Sequence, residues 1–178
     1  MALTVVFDFL RNNKQLKNMR IDSRQIQAGD IFIAIPGFTT DGRKYIGQAI
    51  ANGAAAIIVE AGTVVEPNVT NVPIISVNNL KQHLSEVAAF YYQHPSQKLK
   101  VIGITGTNGK TSTSHYIAQL FAAANEKCGV MGTLGNGILP NLVSAGLTTS
   151  DCCTVQQELS SLAASNAKYV VMEVSSVG

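Results

Sequence analysis

The sequence predicts an α/β protein in two parts: a small α/β domain over residues 1–96, then the first half of a parallel-sheet phosphate-loop domain over 97–178. Three observations predict it. Short runs rich in β-branched residues alternate with segments of helical period, the signature of strands joined by crossover helices. The helical pattern ending at Tyr92 is broken by His94-Pro95-Ser96-Gln97, which marks a domain boundary. Beyond it, LKVIGITGTNGKTSTSHYIAQL (99–120) passes from an apolar run through a Gly-, Thr- and Asn-built turn into an amphipathic segment.

Residues 3–13 predict a short helix, and GDIFIAI (29–35) a strand after a Gly-Asp turn. DGRKYIGQAIANG (41–53) sets Tyr45, Ile46, Ala49 and Ile50 on one helical face and stops at Gly53, a C-terminal cap. AAAIIVE (54–60) and PIISV (73–77) predict buried strands. Leu80, Leu84, Val87, Ala88 and Tyr91 give residues 79–92 a helical period. The second part predicts strand (99–104), turn (105–109), helix (110–124), strand (128–133), loop (134–150), helix (151–165) and strand (168–174). That alternation requires parallel strands with right-handed crossovers. Three such strands are half of a usual doubly wound sheet, so the second domain is expected to be cut short.

Hydrophobic residues make up 46% of the 178 and charged residues 13%, enough apolar material for a real core. Thirteen Lys and Arg against eleven Asp and Glu leave +2, with no basic stripe, which argues against nucleic acid or a membrane surface as partner. No apolar run approaches the length of a membrane span, and MALTVVFDFLRNN lacks the cationic start of a secretion signal. The cysteines Cys128, Cys152 and Cys153 have no metal-ligand spacing, and a reduced, cytoplasmic protein is expected.

The turn at 105–109 departs from the common phosphate-loop rule G-x-x-x-x-G-K-[ST], since Ile104 stands five residues before Gly109. Its chemistry nevertheless fits a polyphosphate. Gly106 and Gly109 let Thr107 and Asn108 turn backbone N–H groups inward, a helix begins at Lys110, and the Thr111 and Ser112 hydroxyls follow. A tight capped turn would explain the glycines, but not a lysine whose charge opposes the dipole of the helix it opens. Glu173 ends the apolar strand KYVVMEV, where a carboxylate is costly unless paired or on a metal. Parallel strands deliver their C-terminal ends to one edge, so Glu173 and Thr111 are expected to share a magnesium ion. The competing expectation is a Glu173 that simply faces solvent beyond the strand.

GTNGKTS (106–112), MEVSS (172–176) and the Thr148-Thr149 pair between them resemble the ATP-binding domain of the Mur ligase family, whose loop reads G-T-N-G-K-T. DSRQIQAGDIFIAIPGFTTDGRKYIGQAIANGAAAIIVE (22–60) is similar to the UDP-sugar-binding domain of the branch that adds the third residue of the peptidoglycan stem peptide. The resemblance implies ATP and Mg2+, the substrate UDP-N-acetylmuramoyl-L-Ala-D-Glu, an acyl phosphate, and an incoming amino acid, diaminopimelate or lysine, whose site lies in an absent domain. It also implies catalytic roles for Lys110 and Glu173, and substrate contacts at Ile21, Ser23, Phe38, Thr39, Thr40, Thr148, Thr149 and Ser175. At 38–40 the family usually reads His-Gln-Ala, and at Val177 it usually has histidine, so those polar roles are expected to be missing. On the residues alone, a self-satisfied turn at Asp22-Ser23 and a helix cap at Thr148-Thr149 are the favoured readings, and only the resemblance reverses that order. A D-Ala-D-Ala-adding sister ligase, a folylpolyglutamate- or cyanophycin-type ligase and a non-catalytic binding module are the rival expectations. The fragment alone is expected not to ligate.

Overall fold

A computed structural model describes residues 3–37, 40–62, 71–144 and 150–175. The chain divides into two compact units, Met1–Tyr91 and Tyr92–Gly178.

The first unit is a parallel sheet in the order β1 (Met19–Arg20), β2 (Ile31–Ala34), β3 (Ala56–Glu60), β4 (Ile74–Val77). Every residue of β2 is buried, which is why its sequence shows no alternation: both faces are covered. On one face Phe32, Ala34, Ile57 and Val59 meet Ile46 and Ala49 of α2 (Ile46–Ala51). The predicted helix at 41–53 begins as a tighter turn over Gly42–Tyr45, because the Asp41 carboxylate caps the Arg43 N–H there. Helices α1 (Leu3–Asn12) and α3 (Leu80–Tyr91) pack together, with the Phe7 and Phe90 rings 4.5 Å apart.

The second unit is a sheet in the order β5 (Lys100–Ile104), β9 (Tyr169–Glu173), β6 (Cys128–Gly132), β7 (Gly135–Ile138), β8 (Asn141–Val143). The first three strands are parallel, as the alternation requires. Helix α4 (Lys110–Ala123) covers one face, placing Ile117, Ala118 and Phe121 on Val130, Val171 and Tyr169. Helix α5 (Cys152–Ala164) covers the other through Leu159 and Leu162, and Asp151 caps it by accepting from the Cys153 and Thr154 N–H groups.

The expected loop at 134–150 requires correction. Residues 135–143 form the antiparallel hairpin β7–β8, with Asn136 opposite Val143 and Ile138 opposite Asn141. The strand Gly-Asn-Gly-Ile offers no alternating apolar pattern, because backbone pairing and the buried Asn136 side chain hold it instead.

Candidate functional site

Strand β5 leads into the 105–109 turn, and α4 starts at once. Gly109 is the helix N-cap at φ +77°, and Gly106 sits at φ +142°, conformations that a side chain would strain. The turn therefore curls tightly enough for Lys110 to reach back across it, its Nζ donating to the Gly106 carbonyl at 2.8 Å. The ammonium thus spans the concavity into which the loop N–H groups and the helix N-terminus direct positive potential.

Parallel pairing sets Ile104 opposite Glu173, and the Val174 N–H donates to the Ile104 carbonyl at 2.8 Å. Strand register alone thus brings Glu173 beside the first turn of α4, although 62 positions separate it from Thr111. The Thr111 hydroxyl donates to Glu173 Oε2 at 3.0 Å. Glu173 is 1% exposed, which rules out the solvent-facing alternative. Thr133, just past β6 at the same sheet edge, donates its backbone N–H to Oε1 and its hydroxyl to Oε2, each at 3.1 Å.

These groups line a cleft of about 290 Å³ whose walls are Thr107 through Ser112, Thr133, Glu173 and Ser175. Sequence reading missed Thr133; its position one residue beyond a buried parallel strand, on the edge that carries the loop, was the available signal. Among the described residues no group of three or more His, Cys, Asp or Glu converges as a metal cage. One carboxylate and one hydroxyl beside a glycine-framed turn is instead a donor set that could hold Mg2+, an ion that keeps waters and takes remaining oxygens from a phosphate ligand. His115 is on the same helix, but its Nδ1 donates to the Thr111 carbonyl at 2.9 Å, a bond within the helix.

Ile21, Ser23 and Thr40 belong to the first unit. Ser23 is buried, its hydroxyl donating to Gln48 Oε1 and its carbonyl accepting from Asn52, both at 2.8 Å, so it ties its turn to α2. Ile21 is half-buried beside it, and Thr40 is exposed, its carbonyl accepting from the Gly37 N–H at 2.9 Å. Arg24 forks onto Asp22 and Arg43 onto Asp41. The Arg24 hydrogen bonds hold the Asp22 carboxyl below its ordinary range, and those of Arg43 bring Asp41 to about 2. Phe38, Thr39, Thr148, Thr149 and Val177 lie outside the described residues.

Residues 104–178 match a family profile described as "Mur ligase middle domain", and residues 15–92 one described as "Mur ligase family, catalytic domain". Among curated relatives, the UDP-N-acetylmuramoyl-L-alanyl-D-glutamate--2,6-diaminopimelate ligase of Pseudomonas aeruginosa is 42% identical over 178 residues, 100% of this chain and 37% of that protein. The ligase of the same name from Coxiella burnetii is 44% identical over 161 residues, 90% of this chain and 33% of that protein. A solved structure of a ligase with that name aligns with TM-score 0.65 at 34% identity, over 89% of this chain and 32% of its own. The Thermotoga maritima MurF ligase, solved in complex with ADP, shares the fold with TM-score 0.60 at 21% identity, over 92% of this chain and 33% of its own. The chain thus spans a third or a little more of the relatives it matches. Its two units carry two domains of one family in succession, and the chain belongs to the Mur ligase family.

Proposed function

We propose that this chain is the substrate- and nucleotide-holding portion of an ATP-dependent ligase that joins 2,6-diaminopimelate to UDP-N-acetylmuramoyl-L-Ala-D-Glu in cytoplasmic peptidoglycan synthesis. Residues 1–96 take the UDP-sugar peptide and residues 97–178 take ATP. The observation that carries this reading is the Thr111–Glu173 pair under the 106–112 loop, held at 3.0 Å by strand register. The identity of the amino acid follows the relatives, whose names specify 2,6-diaminopimelate.

In this role the loop N–H groups and Ser112 bind phosphate oxygens. Lys110 leaves the Gly106 carbonyl for the transferring phosphoryl group, where a full charge offsets the negative charge that develops. Thr111 and Glu173 would hold a magnesium ion, which when bound neutralises phosphate charge. Ser175 lines the same cleft and in this role contacts the substrate. The overall chemistry is phosphorylation of the D-Glu carboxylate, then attack by the amino group on the acyl phosphate with loss of phosphate. The incoming amino acid binds in a domain outside this chain, so the fragment binds ligands without ligating them.

Calorimetric titration tests both halves. ADP with magnesium and UDP-N-acetylmuramoyl-L-Ala-D-Glu are each expected to bind. Absence of heat for either at millimolar concentration would sink the corresponding half, and turnover in a ligation assay would overturn the fragment's inactivity.

A further inference from the structure

Strand β6 ends at Gly132, and the Glu173 side chain lies directly over that residue. A Cβ built on Gly132 would stand 2.6 Å from the Glu173 Cδ and 2.7 Å from its Cγ, and would collide with Oε1 as well. Gly132 is not among the residues with positive φ, so its lack of a side chain answers a demand for space and not for backbone freedom. Its position is fixed from the other side, where its N–H donates to the Oδ1 of buried Asn136 at 3.2 Å. Thr133 then supplies a rigid backbone N–H to Oε1 and a hydroxyl to Oε2, both at 3.1 Å.

The geometry points to Gly132-Thr133 as a seat that positions the Glu173 carboxylate for its cation, with Thr133 as a positioning residue of the site. The inference rests on the reading above that Glu173 and Thr111 hold a divalent cation. Two donors on different oxygens, set by one residue, fix the rotation of the carboxylate plane, which a single hydrogen bond cannot do. Thr111 and Thr133 both point hydroxyls at Oε2, at 3.0 and 3.1 Å. When a cation takes Oε2 and the Thr111 oxygen, the Thr111 proton must rotate away, because that oxygen now presents a lone pair. The Thr133 N–H on Oε1 and the Thr133 hydroxyl on the second lone pair of Oε2 both survive the exchange, and only together do they keep the carboxylate aimed. Thr133 thus serves the cation without touching it.

The test uses the whole 178-residue chain and manganese as probe, following the free Mn2+ paramagnetic resonance signal with ADP present. Thr133→Val is expected to weaken manganese uptake about 10- to 100-fold, the usual effect of removing a group that orients a metal ligand. The loss in manganese uptake is expected to exceed any change in ADP binding measured in EDTA, and Thr133→Ser should restore uptake. The melting curve should stay a single cooperative transition a few degrees lower, because a buried carboxylate loses one donor. Thr133→Ala, which adds no bulk, is the second variant should valine disturb the turn. Manganese bound at wild-type strength by Thr133→Val and Thr133→Ala, while Glu173→Ala fails to bind it, overturns the seat and leaves the cation site standing. Full uptake by Glu173→Ala, or none by the wild type, overturns the underlying reading and the seat with it.

Discussion

Replacing Lys110 with methionine separates the charge of that side chain from its length. An ammonium about 4 Å from one phosphate charge gains about 4 kcal/mol at an effective dielectric near 20, an upper figure for a surface loop. Residues 105–109 are all exposed, so water and salt reduce it toward the ~0.2–1 kcal/mol of open ion pairs. An intermediate figure of about 1–2 kcal/mol corresponds to ADP affinity lower by about 5- to 30-fold. Folding stability should barely move. The variant loses the bond to the Gly106 carbonyl, yet it also removes a positive charge from the N-terminal end of α4, where the helix dipole disfavours it by about 0.3–1 kcal/mol. Calorimetric titration with ADP at low and high salt, with a melting curve alongside, reads both quantities. Wild-type affinity should fall as salt rises, and that of Lys110→Met should fall less. If the variant binds ADP as tightly as wild type at low salt, Lys110 has no role in phosphate binding.

Two further outcomes follow from the packing and the charges. Gly129→Ala in β6 would set a methyl 2.7 Å from Leu162 Cδ1 and 2.8 Å from Cδ2 inside a closed core, an overpacking worth about 1–3 kcal/mol. The melting temperature should drop by several degrees, and adding Leu162→Ala should cost less than the sum of the two single changes, because the smaller residue vacates the clash. Asp41, held at about 2 by Arg43, is depressed below its ordinary 3.8, so its contribution is complete above about pH 4 and is lost as pH falls toward 2. Asp41→Asn should flatten that acid limb in melts run from pH 5 to 2; an unchanged limb would refute the Arg43 pairing.

The 105–109 turn, the helix after it and the carboxylate beside Thr111 were legible because each violates a local expectation: a lysine opening a helix, an acid closing an apolar strand. That the strands are buried and parallel was legible from unbroken apolar runs such as IFIA and their alternation with helices, whereas the order of the strands in each sheet was not. The β7–β8 hairpin was not, because Gly135 and Gly137 carry no side chain to alternate and backbone pairing has no sequence signature of its own. Thr133 escaped for a related reason. Its decisive bonds are made by a backbone N–H, common to every residue except proline, and by a hydroxyl whose partner lies 40 residues away. Ser23 illustrates the limit from the other direction: the turn was readable from Asp22-Ser23, whereas its bond to Gln48 needed the fold.

The order β5-β9-β6 has a consequence for how the second unit comes into being. Strands β5 and β6 do not touch as neighbours; each pairs with β9, which is made last of the three on the ribosome. Until Tyr169–Glu173 emerges, the two earlier strands have no parallel partner to close on, and the apolar faces of α4 and α5 lack the middle of their shared floor. This part of the sheet therefore forms by insertion of a later strand between two earlier ones, a non-local step of the kind that slows folding and leaves edges open to aggregation meanwhile. The residue that ends that strand is Glu173, so the pairing of β5, β9 and β6 and the assembly of the cleft become a single event.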